Sequence, residues 1–160
     1  MTWHLVNFKG GKKNDSMNNH PKSVTSPRAA VGAVVFDEGK VLLVKRKYPP
    51  QKGKWAIPGG SVNLGETLQA AAEREIMEET GLSIAAKEPV HSFDLIERNA
   101  SGDIIFHYVI VDVLAEYVAG NPPEPADDVS DARWFAPGKI DGLDITENTK
   151  ALLLKMGFLS

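Results

Sequence analysis

The chain has 160 residues, 42% of them hydrophobic and 24% charged, with a formal net charge of −3 and no cysteine. That length suits one globular domain with one core, and the charge offers no bulk attraction to nucleic acid or to an anionic membrane. The missing cysteines exclude disulfides, thiolate zinc sites and cysteine nucleophiles, so a metal would rest on carboxylates, histidines or backbone oxygens, a set that favours hard cations such as Mg²⁺ or Mn²⁺.

Residues 1–28 are rich in Lys, Asn, Ser and Gly, with Trp3, Leu5, Val6 and Phe8 as a small apolar group. They read as a flexible N-terminal extension, and the domain is expected over residues 29–160. No apolar run approaches the roughly 18 residues of a membrane span and no secretory-type stretch opens the chain, so a cytoplasmic location is expected. Residues 29–36 form a β-branched apolar run, interrupted at Asp37-Glu38-Gly39-Lys40 and resumed over 41–44, the pattern of a hairpin with Gly in its turn. A Pro- and Lys-containing loop leads to a short strand at 55–57 and then to a Gly-rich loop over 58–65. Residues 67–80 have the strongest helix composition in the chain, and Gly81 stops it. Further strands are expected near 90–97, 104–117 and 133–135, with a turn over 99–103, a proline-containing loop over 120–128 and a closing helix over 146–156. Strands with interspersed helices predict an α/β (α+β) layered domain around a mixed sheet.

The helix carries the chemistry. On a helical wheel Leu68, Ala71 and Ala72 share a stripe that continues into Glu75, Glu78 and Glu79, so the core-facing side turns acidic and the carboxylates can converge. Like charges at three- and four-residue spacing cost about 0.2–0.5 kcal/mol per pair, and the negative end of the helix dipole opposes them again. A divalent cation relieves both effects, which makes these glutamates candidate ligands. Arg74 is placed to pair with a carboxylate, Glu66 is expected in the first helical turn, and Gly59, Gly60 and Gly65 can bring backbone close to a metal.

Elsewhere the candidates are weaker. Glu124, Asp127 and Asp128 sit in a loop long enough to reach over a site, and Asp128 is the candidate general base, against the ordinary use of Asp and Pro in turns. Lys45 and Arg46 lie on opposite faces of a strand end, and either could contact substrate phosphates. His107, within Phe106-His107-Tyr108, reads as a packed or hydrogen-bonded sheet residue.

Gly60, Glu66, Arg74-Glu75, Ile76, Glu78-Glu79, Gly81 and Leu82 together resemble the complete Nudix signature, and Trp55-Ala56-Ile57-Pro58-Gly59-Gly60 resembles the family's lead-in. The resemblance implies an α-β-α sandwich with a mixed sheet and hydrolysis of a nucleoside diphosphate linked to another group. It implies Glu75, Glu78 and Glu79 as metal ligands, the Gly60 carbonyl as a further one, and Glu66 and Arg74 as supporting catalytic residues, with Mg²⁺ or Mn²⁺ as cofactor. The stretch from Phe106 to Asp112 and Asp131-Ala132-Arg133-Trp134 look like the bacterial ADP-ribose pyrophosphatase-like group, which implies ADP-ribose or a related ADP-sugar going to AMP and sugar phosphate. Ile96 and Glu97 occupy the region where many enzymes of that kind carry a proline. A nucleoside triphosphate pyrophosphohydrolase, including one for oxidised nucleotides, and a non-catalytic nucleotide-binding module are the alternatives. The expected partner is a small-molecule nucleotide, with no nucleic acid and no membrane; the sequence does not choose between a monomer and a homodimer.

Overall fold

The computed structural model describes residues 24–120 and 122–160; the apolar group at Trp3, Leu5, Val6 and Phe8, with most of the expected extension, lies outside the described residues. The elements in chain order are β1 (Arg28–Asp37), β2 (Lys40–Arg46), β3 (Trp55–Ala56), β4 (Gly59–Ser61), α1 (Leu68–Thr80), β5 (Ser83–Arg98), β6 (Ile104–Ala119), β7 (Val129–Phe135) and α2 (Glu147–Lys155), with a 3₁₀ turn at Pro137–Lys139.

The β1–β2 hairpin forms where alternating apolar residues meet a turn that the backbone can close. Glu38 and Gly39 both take positive φ, 45° and 74°, and Phe36 pairs with Val41 across them. Such left-handed turn residues match the twist of the flanking strands. β1 then runs through the middle of a seven-stranded sheet of order β3-β2-β1-β6-β5, with β4 added on β1 and β7 on β2. Its pairing with β6 is parallel and the other strand pairs are antiparallel, so the sheet is mixed as expected.

Alternation along β1 divides the core between the two faces of the sheet. Val31, Ala33 and Val35 join Leu42 and Val113 under Ala71, Ala72 and Ile76 of α1. Val34 joins Val41 and Leu43 against Leu152 and Leu153 of α2. The result is a sheet sandwiched between helices. On the α2 side, Ala30, Tyr108 and Ile110 form a separate apolar cluster with Phe93, Leu95 and Phe106 partly buried against it.

Both helices are capped as their sequences direct. The Thr67 hydroxyl accepts from the Ala70 N–H at 3.1 Å, and Gly81, at φ 69°, donates its N–H to the Met77 carbonyl at 3.0 Å. Thr146 caps α2 in the same way through the Thr149 N–H. Among the described residues no helix is long and apolar enough to cross a membrane.

Two expectations are corrected. The Gly-rich loop after Pro58 contains a strand, β4, because Gly59 and Gly60 let the chain lie against β1; a Cβ on Gly59 would stand 2.1 Å from the Val31 carbonyl oxygen. β5 begins at Ser83 rather than near Val90, because register shifts between Ala86, Pro89 and His91 absorb the proline at irregularities in the ladder.

Candidate active site

α1 buries Ala71, Ala72, Glu75, Ile76, Glu79 and Thr80. Its core stripe therefore ends in two carboxylates, Glu75 at 1% and Glu79 at 2% exposure, while Glu78 sits at the margin with 38% of its side chain exposed. Burial raises the Glu75 carboxyl above the usual range, opposed by a hydrogen bond from Arg74. Burial raises Glu79 well above it, and the neighbouring charges of Asp128 and Glu75 push the same way.

Arg74 organises one half of the cluster. Its Nε donates to Glu66 Oε1 at 2.6 Å and its Nη2 to Glu66 Oε2 at 2.7 Å, a two-pronged grip, while Nη1 donates to Glu75 at 2.7 Å and to Glu78 at 3.2 Å. The Asn63 N–H also donates to Glu66, at 2.9 Å, and the Glu66 carboxyl is held down to about 2, chiefly by Arg74. Glu66 precedes the cap Thr67, and the first turn of α1 holds no acidic residue, so the expected place of Glu66 within the first turn is corrected. It is the anchor of Arg74. The Gly60 backbone lies flat against Glu75: a Cβ there would meet the carboxylate at about 2.4 Å.

Glu79 belongs to the other half. It accepts from the Gly59 N–H at 3.0 Å and shares a hydrogen bond with Asp128, a pairing of carboxyls that favours one proton between them. Asp128 is brought there by the loop before β7, whose Glu124 and Ala126 N–H groups donate to the Thr80 and Glu79 carbonyls at 2.9 and 3.0 Å. Those bonds satisfy orphan carbonyls at the end of α1 and leave Asp128 at 5% exposure, whereas Glu124 and Asp127 stay exposed. Arg46 faces the same charges. Burial lowers its basicity, and the charges of Asp128 and then Glu79 oppose that; its Nε donates to the Pro50 carbonyl at 2.7 Å.

The three helix glutamates are not gathered on one point, contrary to the convergence their spacing allows. Arg74 draws Glu75 and Glu78 toward itself while Glu79 turns to Gly59 and Asp128, and no ready-made group of three cation-ligating side chains stands among the described residues. The donors are nonetheless all oxygens, two of them on buried carboxyls that crowd each other. That chemistry fits a hard divalent cation.

Beside this cluster opens a cleft of about 520 Å³, part of it continuous with solvent, which includes Gly59 and Arg46 at one side and Phe93, Leu95, Ile110 and Asp112 in its lining. Lys45, one residue before Arg46, does not line it. His107 faces Asp94, with Nε2 3.7 Å from Oδ1, in a sheet position away from the cleft lining. The residue that sequence reading passed over is Asp112. It is a lone acid in the inward-facing alternation Tyr108, Ile110, Asp112, Leu114 of β6, and that period of two was the available signal.

The NUDIX domain family model matches residues 26–155. An ADP-ribose pyrophosphatase from Methanocaldococcus jannaschii is 38% identical over 109 residues, 68% of this chain, which spans 62% of that relative's length. The nucleoside triphosphatase NudI of Enterobacter sp. strain 638 is 30% identical over 144 residues, covering 82% of this chain and 98% of that protein. Among solved structures, a MutT NUDIX hydrolase from Burkholderia pseudomallei superposes with a TM-score of 0.63 at 31% identity, over 81% of this chain and 97% of that one.

Proposed function

This chain belongs to the NUDIX domain family, and from that premise we propose that it hydrolyses the pyrophosphate of a nucleoside diphosphate linked to another group, ADP-ribose or a related ADP-sugar, to AMP and a sugar phosphate. The observation that carries the reading is the placement of a buried acidic cluster, Glu75, Glu79 and Asp128, beside a cleft with apolar walls. One end suits the phosphates and their counter-ion, the other a nucleoside. The choice of ADP-ribose rests on the Methanocaldococcus relative.

Glu75, Glu78, Glu79 and the Gly60 carbonyl would hold a divalent cation, Mg²⁺ or Mn²⁺. When bound, the cation offsets charge on the phosphates and makes water a stronger acid. The chain's own residues do the rest. Arg74, gripped by Glu66, fixes the rotamers of Glu75 and Glu78. Asp128, hydrogen-bonded to Glu79, stands as the base that receives a proton from water as its oxygen attacks phosphorus. Arg46, turned toward Asp128 and Glu79, provides a fixed positive charge for the phosphate oxygens.

The test is turnover with product identification. With Mg²⁺, ADP-ribose gives AMP and ribose phosphate, and Glu79→Gln lowers turnover on the order of a thousandfold; a Glu79→Gln protein whose turnover number is intact at saturating Mg²⁺ sinks the assignment. A second reading, a nucleoside triphosphate pyrophosphohydrolase, is favoured by the similarity to NudI across most of the chain. It is recognised by release of inorganic pyrophosphate from a triphosphate.

A further inference from the structure

Asp112 is 4% exposed, yet its carboxyl receives no hydrogen bond and no ion pair from any described residue; burial alone acts on it and lifts it to about 7. A buried carboxyl in that state normally finds a donor within the fold. Here the fold makes room for it instead. Gly32, its neighbour across the parallel β1–β6 ladder, has no side chain, and a Cβ there would stand 2.1 Å from Asp112 Oδ1. The space kept clear belongs to the cleft, which Gly32 and Asp112 both line.

The surroundings say what kind of group fits. Ile57, Phe93, Leu95 and Ile110 wall the cleft with flat or branched apolar surface, the kind of surface on which a heteroaromatic ring stacks. Arg46 on β2, His91 and Glu97 on β5, with His91 in register with Asp112, and Tyr108 on β6 are the charged or titratable groups on this side of the sheet, and Tyr108 and Glu97 act on Arg46. β1 and α2 present only uncharged residues to the cleft, including Gly32, Asn148 and Thr149. No cation holds the carboxyl ionised, so a group that offers it one donor and one acceptor is the match.

We infer that Asp112 determines base specificity, its cleft-lining carboxyl pairing with the adenine edge made by the 6-amino group and N1. Its carbonyl oxygen accepts from the amino group and its O–H donates to N1. Guanine presents two adjacent donors, N1–H and the 2-amino group, and would set an N–H against that O–H; it gains only when the carboxyl ionises. An acid kept neutral in an apolar site so that it can donate is a known use of burial, and reading a base by its Watson–Crick edge while it stacks on apolar side chains is a general device. The inference rests on the reading that the substrate is a nucleotide, and it names which one the cleft prefers.

The test measures equilibrium binding of AMP and GMP by calorimetry in Mg²⁺ buffer at pH 6 and pH 8.5. Neither ligand carries a pyrophosphate bond, so base recognition is read without turnover. Taking the ratio of the two affinities cancels the titration of their phosphates. In the native protein the preference for AMP over GMP is expected to fall tenfold or more between the two pH values. In Asp112→Asn, whose amide offers a donor and an acceptor at every pH, AMP stays preferred and the ratio becomes flat. In Asp112→Ala the preference is lost at both. A native ratio that ignores pH, an Asp112→Asn protein that titrates like the native one, or failure of AMP to bind overturns the inference. AMP binding that follows Asp112 in a protein that turns over no nucleotide would uphold it while removing the hydrolytic reading.

Discussion

Glu79 and Asp112 are both buried carboxyls raised above the usual range, and they approach the site from opposite faces of the sheet in opposite company. Glu79, from α1, has the Gly59 N–H as a donor, Asp128 in hydrogen-bond contact, Glu75 as a like-charged neighbour and Arg46 across from it. Asp112, from β6, has burial alone. Crowding makes the first a place where added positive charge is welcome. Solitude makes the second a place for a neutral hydrogen-bonding partner.

The largest effect expected is on the crowded side. Glu79→Gln keeps the shape but takes from the cluster a carboxyl that can ionise against a cation, so turnover should drop on the order of a thousandfold, as when a group that stabilises transition-state charge is lost. The fold should not suffer, because the substitution also relieves a desolvated carboxyl. Melting curves with and without Mg²⁺ sharpen the point: the native protein should gain stability from the cation and the Glu79→Gln protein should gain much less. Equal gains would mean that the cluster does not hold the cation through Glu79.

On the solitary side the expected effect is on stability and follows pH. The native Asp112 value lies above its unfolded one, 3.8 against about 7. Any relative advantage of the folded state is full below the unfolded value and is lost as pH rises toward 7, because the unfolded chain ionises first. The loss is at most about 4 kcal/mol, three pKa units at 1.36 kcal/mol each. Asp112→Asn removes that slope, and denaturant midpoints measured from pH 4 to pH 8 for both proteins isolate it from Glu75 and Glu79, which titrate in the same sense. Parallel curves would show that Asp112 is solvated in solution.

Gly59 joins the two sides, since it lines the cleft and its N–H holds Glu79. A Cβ there meets backbone, the Val31 oxygen at 2.1 Å, so relief requires β4 to separate from β1. Gly59→Ala is expected to cost about 2 kcal/mol or more in stability and to lower turnover as well. Unchanged stability would show that the β1–β4 contact is looser than the packing indicates.

What the sequence made legible and what it hid divide along the same line. The acidic stripe of α1, its Thr67 and Gly81 ends and the β1–β2 hairpin are local patterns, and local patterns survive folding. The contacts of Asp128 with Glu79 and of Gly32 with Asp112 join residues far apart in the chain, and no spacing rule reports them. Gly59 and Gly60 looked like turn residues because their use as space for another strand and for the Glu75 carboxylate depends on neighbours the sequence does not name. Glu66 was misplaced by one step: the helix starts after Thr67, so its charge serves Arg74 rather than the helix dipole.

That last contact offers the finest test of how the crowded side is held. Arg74→Lys keeps the positive charge but cannot grip both Glu66 oxygens while also reaching Glu75 and Glu78. The cost in stability at neutral pH should be about 1 kcal/mol, the scale of one charge-assisted hydrogen bond. The clearer signature lies in acid. The native Glu66 value is depressed, 4.5 when unfolded against about 2 when folded, so its stabilising contribution is complete above the unfolded value and disappears as pH falls toward 2. With lysine in place of Arg74 the folded value should move back toward the unfolded one, and acid unfolding followed by circular dichroism should begin at a higher pH. An acid transition that does not move would mean that the backbone donor at Asn63, not the guanidinium, holds Glu66 ionised, and that Arg74 serves the helix glutamates alone.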